Sequence, residues 1–269
     1  MTGREWLLLA TLSTLWGGSF YFVEIALEDL PPFTVVWARV ASGAGVLWAA
    51  LLARGDVPRV DRPRAWRWAA LGLVSNAAPF SLLTWGQTTI GAGLAAVLNA
   101  TTPLWTAVFA HYVTTDEKLT PFKIAGVAVG VAGVVVMVGP SALQGVGADV
   151  YAQLAVVAAT FCYAIAALYG RGFGRRGLKP MQIAAGQLTG ATLLLTPVML
   201  VVERPWTLPA PGLDALFAVF AIGAISTALA YLIFYRLLAT AGATNLTLVT
   251  FLVPITAASL GALFLGERF

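Results

Sequence analysis

Of the 269 residues, 59% are apolar and only 10% are charged, against roughly a quarter charged in a soluble domain. A water-soluble globular protein is excluded, and an all-α integral membrane protein is expected. The formal charge of +4 is not a nucleic-acid signal here, because basic residues in a membrane chain report topology. One cysteine, Cys162, and one histidine, His111, leave no material for a disulfide, a metal cluster or histidine-based catalysis.

A membrane helix needs about 20 mostly apolar residues, and nine such stretches follow in order. The first, Trp6–Leu27, is read as a span and not as a signal peptide, because no A-x-A-like cleavage site follows it. It carries Ser13, Trp16, Gly17 and Phe20 near its centre. Glu24 lies about 12 Å beyond Trp16 along a helix, near the outer end. The second, Phe33–Ala53, follows Pro31-Pro32 and contains Arg39. The third, Trp66–Trp85, sets Asn76, Phe80 and Leu83 along one face, continued by Gln87, with the helix breaker Pro79 near its centre.

The fourth span, Gly93–Val113, sets Asn99, Thr102 and Thr106 at i, i+3, i+7 on one face, with Pro103 between them. The fifth, Phe122–Gly139, contains Gly126-x-x-x-Gly130 and the seventh, Met181–Val202, contains Gly186-x-x-x-Gly190. Both spacings suit close helix approach. The sixth, Val150–Gly170, offers Thr160, Tyr163 and Ala167. The eighth, Leu213–Leu237, offers Thr227, Tyr231 and Tyr235 at i, i+4, i+8. The ninth, Asn245–Leu265, holds Pro254.

With the N-terminus placed in the cytoplasm, thirteen Lys and Arg fall on the inner side and two, Arg204 and Arg268, on the outer. The remaining one is Arg39. That bias fits the positive-inside rule.

The chain also repeats itself. With Pro103 set opposite Pro254, Asn76 meets Ser226, Trp85 meets Tyr235, Trp16 meets Tyr163, Pro32 meets Pro180 and Arg39 meets Gln187. The unit is five spans, residues 1–140, so a second copy over 141–269 enters the membrane inverted. Inverted repeats are a transporter architecture that binds near the midplane and alternates access. The second copy shows four spans, and a tenth helix is expected to be missing at the C-terminus, from the given chain or from the protein.

Three motifs carry a family resemblance: Leu15-Trp-Gly-Gly-Ser-Phe20, the central-proline span closing on Gly266-Glu267-Arg268, and Gly126-Val-Ala-Val-Gly-Val-Ala-Gly133. The chain resembles the drug/metabolite transporter superfamily, in particular its ten-helix EamA-type permeases, over essentially its whole length. The resemblance implies a basket of helices around a cavity lined largely by the first, third, fourth, sixth, eighth and ninth. It also implies kinship with bacterial exporters of amino acids, aromatic ones included, and other metabolites. The export direction comes from the resemblance alone.

The residues narrow the cargo. No Asp or Glu lies at the centre of a span, so a pump for bulky cations lacks its carboxylate. No cluster of Lys or Arg is central, which disfavours phosphorylated substrates. A small neutral or zwitterionic metabolite fits best, carried by a monomer in preference to a dimer, in a multi-pass protein of the bacterial inner membrane. Candidate substrate-binding residues are Trp16, Asn76, Phe80, Asn99, Thr102, Tyr163, Thr227 and Tyr231. Candidate hinges are Pro79, Pro103 and Pro254. Asn99 reads equally as interhelical glue.

Trp85, Tyr169 and Tyr235 read as interface anchors. Arg39 and Glu24 are read either as a functional site, with Arg39 contacting a substrate carboxylate or taking part in coupling, or as an outer ion pair. Rarity of membrane arginines with a catalytic or transport task favours Arg39 snorkelling outward or pairing with Glu24 or Glu28. No cofactor, metal or nucleic acid is implied, and no intramembrane enzyme motif or nucleotide-binding loop occurs. A multidrug or other metabolite permease, and a channel, remain the alternatives.

Overall fold

Residues 1–115, 118–143, 147–174 and 177–265 are described by a computed structural model. The Gly266-Glu267-Arg268 motif lies outside the described residues. Within them the chain forms nine long helices and no strand. These are α1 (Gly3–Leu27), α2 (Pro32–Ala53), α3 (62–86), α4 (Ala92–Val113), α5 (Pro121–Leu143), α6 (Ala148–Gly174), α7 (Pro180–Val202), α8 (Leu213–Ala241) and α9 (243–265). Seven are long and apolar enough to cross a membrane.

Local chemistry sets the helix starts. Proline occupies the first turn of α2, α3 and α7, where its missing N–H has no helical partner to lose. Thr2 and Glu5 form a capping box at the start of α1. Asp61 caps α3 by accepting from the Arg64 amide at 2.8 Å. α2 ends at Gly55, whose φ of +61° lies in the left-handed region that glycine enters without steric cost. The turn lets the Asp56 amide reach back to the Leu51 carbonyl at 3.0 Å.

Four helices are interrupted, α9 among them, by a turn at Leu248 and a π segment at Gly261–Leu265. α3 passes through a π-helical turn at Leu73–Ala77, and α8 through a longer one at Ile222–Leu229. Each π turn inserts an extra residue and rotates the faces that follow. α4 is split into Ala92–Asn99 and Thr102–Val113, just where Pro103 cannot donate to the Asn99 carbonyl.

Packing follows a reciprocal pattern. α1 packs on α8 and α9, while α6 packs on α3 and α4. α2 packs on α7 and on the π segment of α8, while α7 packs on α2 and on α3. Small residues permit these approaches: a Cβ at Gly190 would sit 2.7 Å from the Trp68 carbonyl, and one at Gly186 would enter the Trp68 ring. The other glycine pair behaves differently. Gly130 meets Leu104, but among the described residues nothing comes within 4 Å of a Cβ at Gly126.

The α2–α7 pair is tied along its length. Glu203 accepts from the Phe33 and Thr34 amides at 2.7 and 2.6 Å, capping α2 from the end of α7. Trp37 donates to Thr196 at 2.9 Å, and Trp48 to Thr189 at 2.8 Å. At the other end Asp56 pairs with Lys179 at 2.8 Å and accepts from Gln182, at the start of α7.

Candidate functional site

The helices enclose a cavity of about 900 Å³, open solvent included. Its walls come from α1, α3, α4, α6, α8 and α9, the set the family resemblance implies, with Arg39 of α2 added.

The wall is aromatic. Trp16 lies 5.8 Å from Phe234, Phe80 lies 6.3 Å from Tyr163, and Phe234 lies 5.7 Å from Tyr231, all as ring centroids. Trp16 and Tyr163, central in their helices, both line the cavity.

Arg39 supplies the charge. The side chain is only 6% exposed. Its Nε donates to the Thr227 hydroxyl at 2.8 Å, and its guanidinium carbon sits 3.7 Å from the centre of the Phe80 ring. The expected outward snorkel or pairing with Glu24 or Glu28 is not what the structure holds. Among the described residues no ion pair reaches Arg39, and no carboxylate lines the cavity. The physical reason lies on α8 and α3. Thr227 offers an acceptor and Phe80 a π face, and together they draw the guanidinium inward. Glu24 receives Gln87 Nε2 at 3.4 Å instead.

The π turns move two predicted residues off the wall. Asn76 is fully buried and donates to the Tyr231 hydroxyl at 2.7 Å, while Ser75, its neighbour, lines the cavity. Thr227 is likewise fully buried, occupied with Arg39. Each is bonded to a residue that does line the cavity. Phe80, Asn99, Thr102 and Tyr231 do line it.

The prolines leave carbonyls to be satisfied. Pro79 cannot donate to Ser75, whose carbonyl accepts from the Tyr231 hydroxyl at 3.3 Å. Pro103 cannot donate to Asn99, whose carbonyl accepts from the Thr102 hydroxyl at 2.8 Å. Pro254 lies inside α9, one turn after the cavity residue Thr250.

Tyr235 is a correction. It is 4% exposed, lines the cavity and donates to Gln187 Oε1, so it is no interface anchor. Trp85 and Tyr169 are 45% and 40% exposed. Sequence reasoning passed over Phe234 and Thr250. Phe234 stands three residues after Tyr231, a helical neighbour spacing that signals a shared face. Thr250 is the residue whose carbonyl a proline four positions later cannot serve.

A helical bundle around an aromatic cavity, with the Arg39 guanidinium turned inward, is an arrangement suited to a multi-pass membrane transporter. The EamA-like transporter family matches residues 4–139 and again 150–269. The chain belongs to that family, within the drug/metabolite transporter superfamily, and is a multi-pass inner-membrane protein.

It is similar to the uncharacterised transporter YoaV of Bacillus subtilis, with 21% identity over 97% of this chain and 88% of the relative. The uncharacterised inner membrane transporter YedA of Escherichia coli is 26% identical over 96% and 82%. An S-adenosylmethionine/S-adenosylhomocysteine transporter of Chlamydia trachomatis is 27% identical over 95% and 80%. A solved crystal structure at 20% identity superposes with a TM-score of 0.73, covering 100% of this chain and 91% of that one. It bears on the fold alone.

Proposed function

We propose that this protein is a secondary transporter that exports amino acids, aromatic and other neutral ones, or closely related small metabolites, by alternating access through the central cavity. The observation that carries the reading is Arg39. A guanidinium 6% exposed, with no counter-ion among the described residues, is costly to bury unless an anion arrives. A carboxylate fits its planar donors. The aromatic wall of Trp16, Phe80, Tyr163 and Phe234 suits an apolar or aromatic side chain on the same molecule. Among the described residues the cavity wall holds no carboxylate, which leaves a bulky organic cation without its partner.

The named cargo of the Chlamydia relative, S-adenosylmethionine and S-adenosylhomocysteine, also carries a carboxylate. The rocking architecture has its own support. The packing of α1 and α6, and of α2 and α7, exchanges when residues 1–140 are swapped with 141–269, as two inverted copies require. The charge bias places the N-terminus in the cytoplasm.

Purified protein in proteoliposomes, given a mixture of amino acids with and without a proton gradient, tests the reading. Saturable uptake stimulated by substrate on the opposite side is the expected result. Movement of no amino acid would sink the cargo assignment, and unsaturating currents would make the protein a channel.

A further inference from the structure

Besides Arg39, a second polar group in the cavity is left over. Asn99 lines the cavity at 6% exposure, and its Oδ1 is enclosed without a hydrogen-bond donor. Native proteins pair nearly all such atoms, so an orphan calls for a cause. The helix break does not need this side chain. The carbonyl that Pro103 frees on Asn99 is served by the Thr102 hydroxyl at 2.8 Å. Nor does the amide serve as glue between helices, the other reading of this residue, since its oxygen meets no donor among the described residues.

Neighbouring lining groups place their donors on backbone carbonyls. Ser19 donates to the Trp16 carbonyl at 2.7 Å, Thr250 to the Thr247 carbonyl at 2.8 Å, and Gln87 to the Phe20 carbonyl at 3.1 Å. Among the described residues two groups of the cavity stand out as unpaired: the Arg39 cation, without an anion, on α2 and the buried Asn99 acceptor, without a donor, on α4. The second pole also sits at the C-terminal end of the helical segment Ala92–Asn99. Peptide dipoles give that end partial negative charge. With no carboxylate in the wall among the described residues, a cationic group entering the cavity has neutral oxygens to bind, and this one accepts from no donor there.

We propose that Asn99 Oδ1 receives the α-ammonium group of the cargo, so that the transported class is the zwitterionic amino acid and not the simple carboxylic acid. The proposal rests on the reading of Arg39 as the carboxylate partner. Asn99 then sets specificity by rewarding an ammonium, while Arg39 rewards the carboxylate. The aromatic wall accepts whatever side chain lies between.

Counterflow in proteoliposomes tests it with three competitors of similar bulk: phenylalanine, 3-phenylpropionate, which lacks the ammonium, and 2-phenylethylamine, which lacks the carboxylate. In the unaltered protein phenylalanine should outcompete each of the others by about tenfold or more, the worth of one hydrogen bond to a charged group. Asn99→Leu should erase the preference over 3-phenylpropionate and keep the preference over 2-phenylethylamine. Arg39→Gln should do the reverse.

If Asn99→Leu keeps its full preference over 3-phenylpropionate, the assignment of Asn99 is overturned and that of Arg39 stands. If Arg39→Gln keeps its full preference over 2-phenylethylamine, the underlying reading is overturned. Should Asn99→Leu fail to fold, Asn99→Asp keeps the shape and adds a charge. It should raise competition by 2-phenylethylamine several-fold, and no rise would count against the proposal.

Discussion

Arg39 Nε donates to the Thr227 hydroxyl at 2.8 Å across 188 positions of sequence, and this bond aims the guanidinium at the face of Phe80. Thr227 is thus a positioning residue. Thr227→Val keeps the volume and removes the acceptor, which should raise the KM for a carboxylate-bearing cargo about tenfold. The maximal rate should change less, and Thr227→Ser should restore the affinity. A valine variant with an unaltered KM would mean that Phe80 alone holds the guanidinium.

On the proposed reading Arg39 trades stability for use. A buried cation without a counter-ion destabilises the resting fold, and an unbranched apolar replacement should relieve that cost. Arg39→Met should abolish transport of carboxylate-bearing cargo while raising stability by about 1 kcal/mol or more. Thermal unfolding in detergent reads the second effect. A lower melting temperature would show that the arginine serves the fold.

Pro79 and Pro103 can be separated from their surroundings by alanine. Pro79→Ala restores an amide that competes with Tyr231 for the Ser75 carbonyl, and Pro103→Ala one that competes with Thr102 for the Asn99 carbonyl. Each should slow transport several-fold while shifting stability by about 1 kcal/mol or less. Rates that stay at the original value would reduce both prolines to tolerated kinks.

Glu203 caps α2 through two backbone amides and the Thr34 hydroxyl. Glu203→Ala leaves those donors without their partner and should cost about 1–2 kcal/mol. Glu203→Gln should recover part of it, since the amide oxygen still accepts. Hydrogen exchange at Phe33 and Thr34 would localise the loss to the start of α2.

Much of this architecture was legible in the chain. Apolar run length marked all nine helices, and helical spacing put Trp16, Phe80, Asn99 and Tyr163 on faces that turn inward. Two kinds of information were not legible. The π turns at Leu73–Ala77 and Ile222–Leu229 shift the register inside α3 and α8, so a regular 3.6-residue projection misplaces Asn76 and Thr227. No residue type announces a π turn. The direction of Arg39 was hidden for another reason. Whether a long cation snorkels outward or folds inward depends on Thr227 and Phe80, which lie on other helices. Tyr235 was misread similarly: its nearness to a helix end suggested an interface, while Gln187 of α7 claims its hydroxyl.

The four ties between α2 and α7 have a mechanical meaning. Glu203 and Asp56 clasp the pair at its two ends, and two tryptophan–threonine rungs lie between. Helices fastened at so many levels cannot slide or splay against one another without breaking several bonds at once. The pair is a keel. Any swing that opens the cavity first to one side and then to the other has to be borne by the helices hung on it, α3 and α8 above all. Arg39 rides on the keel, so the carboxylate of a passenger would stay moored while the doors move.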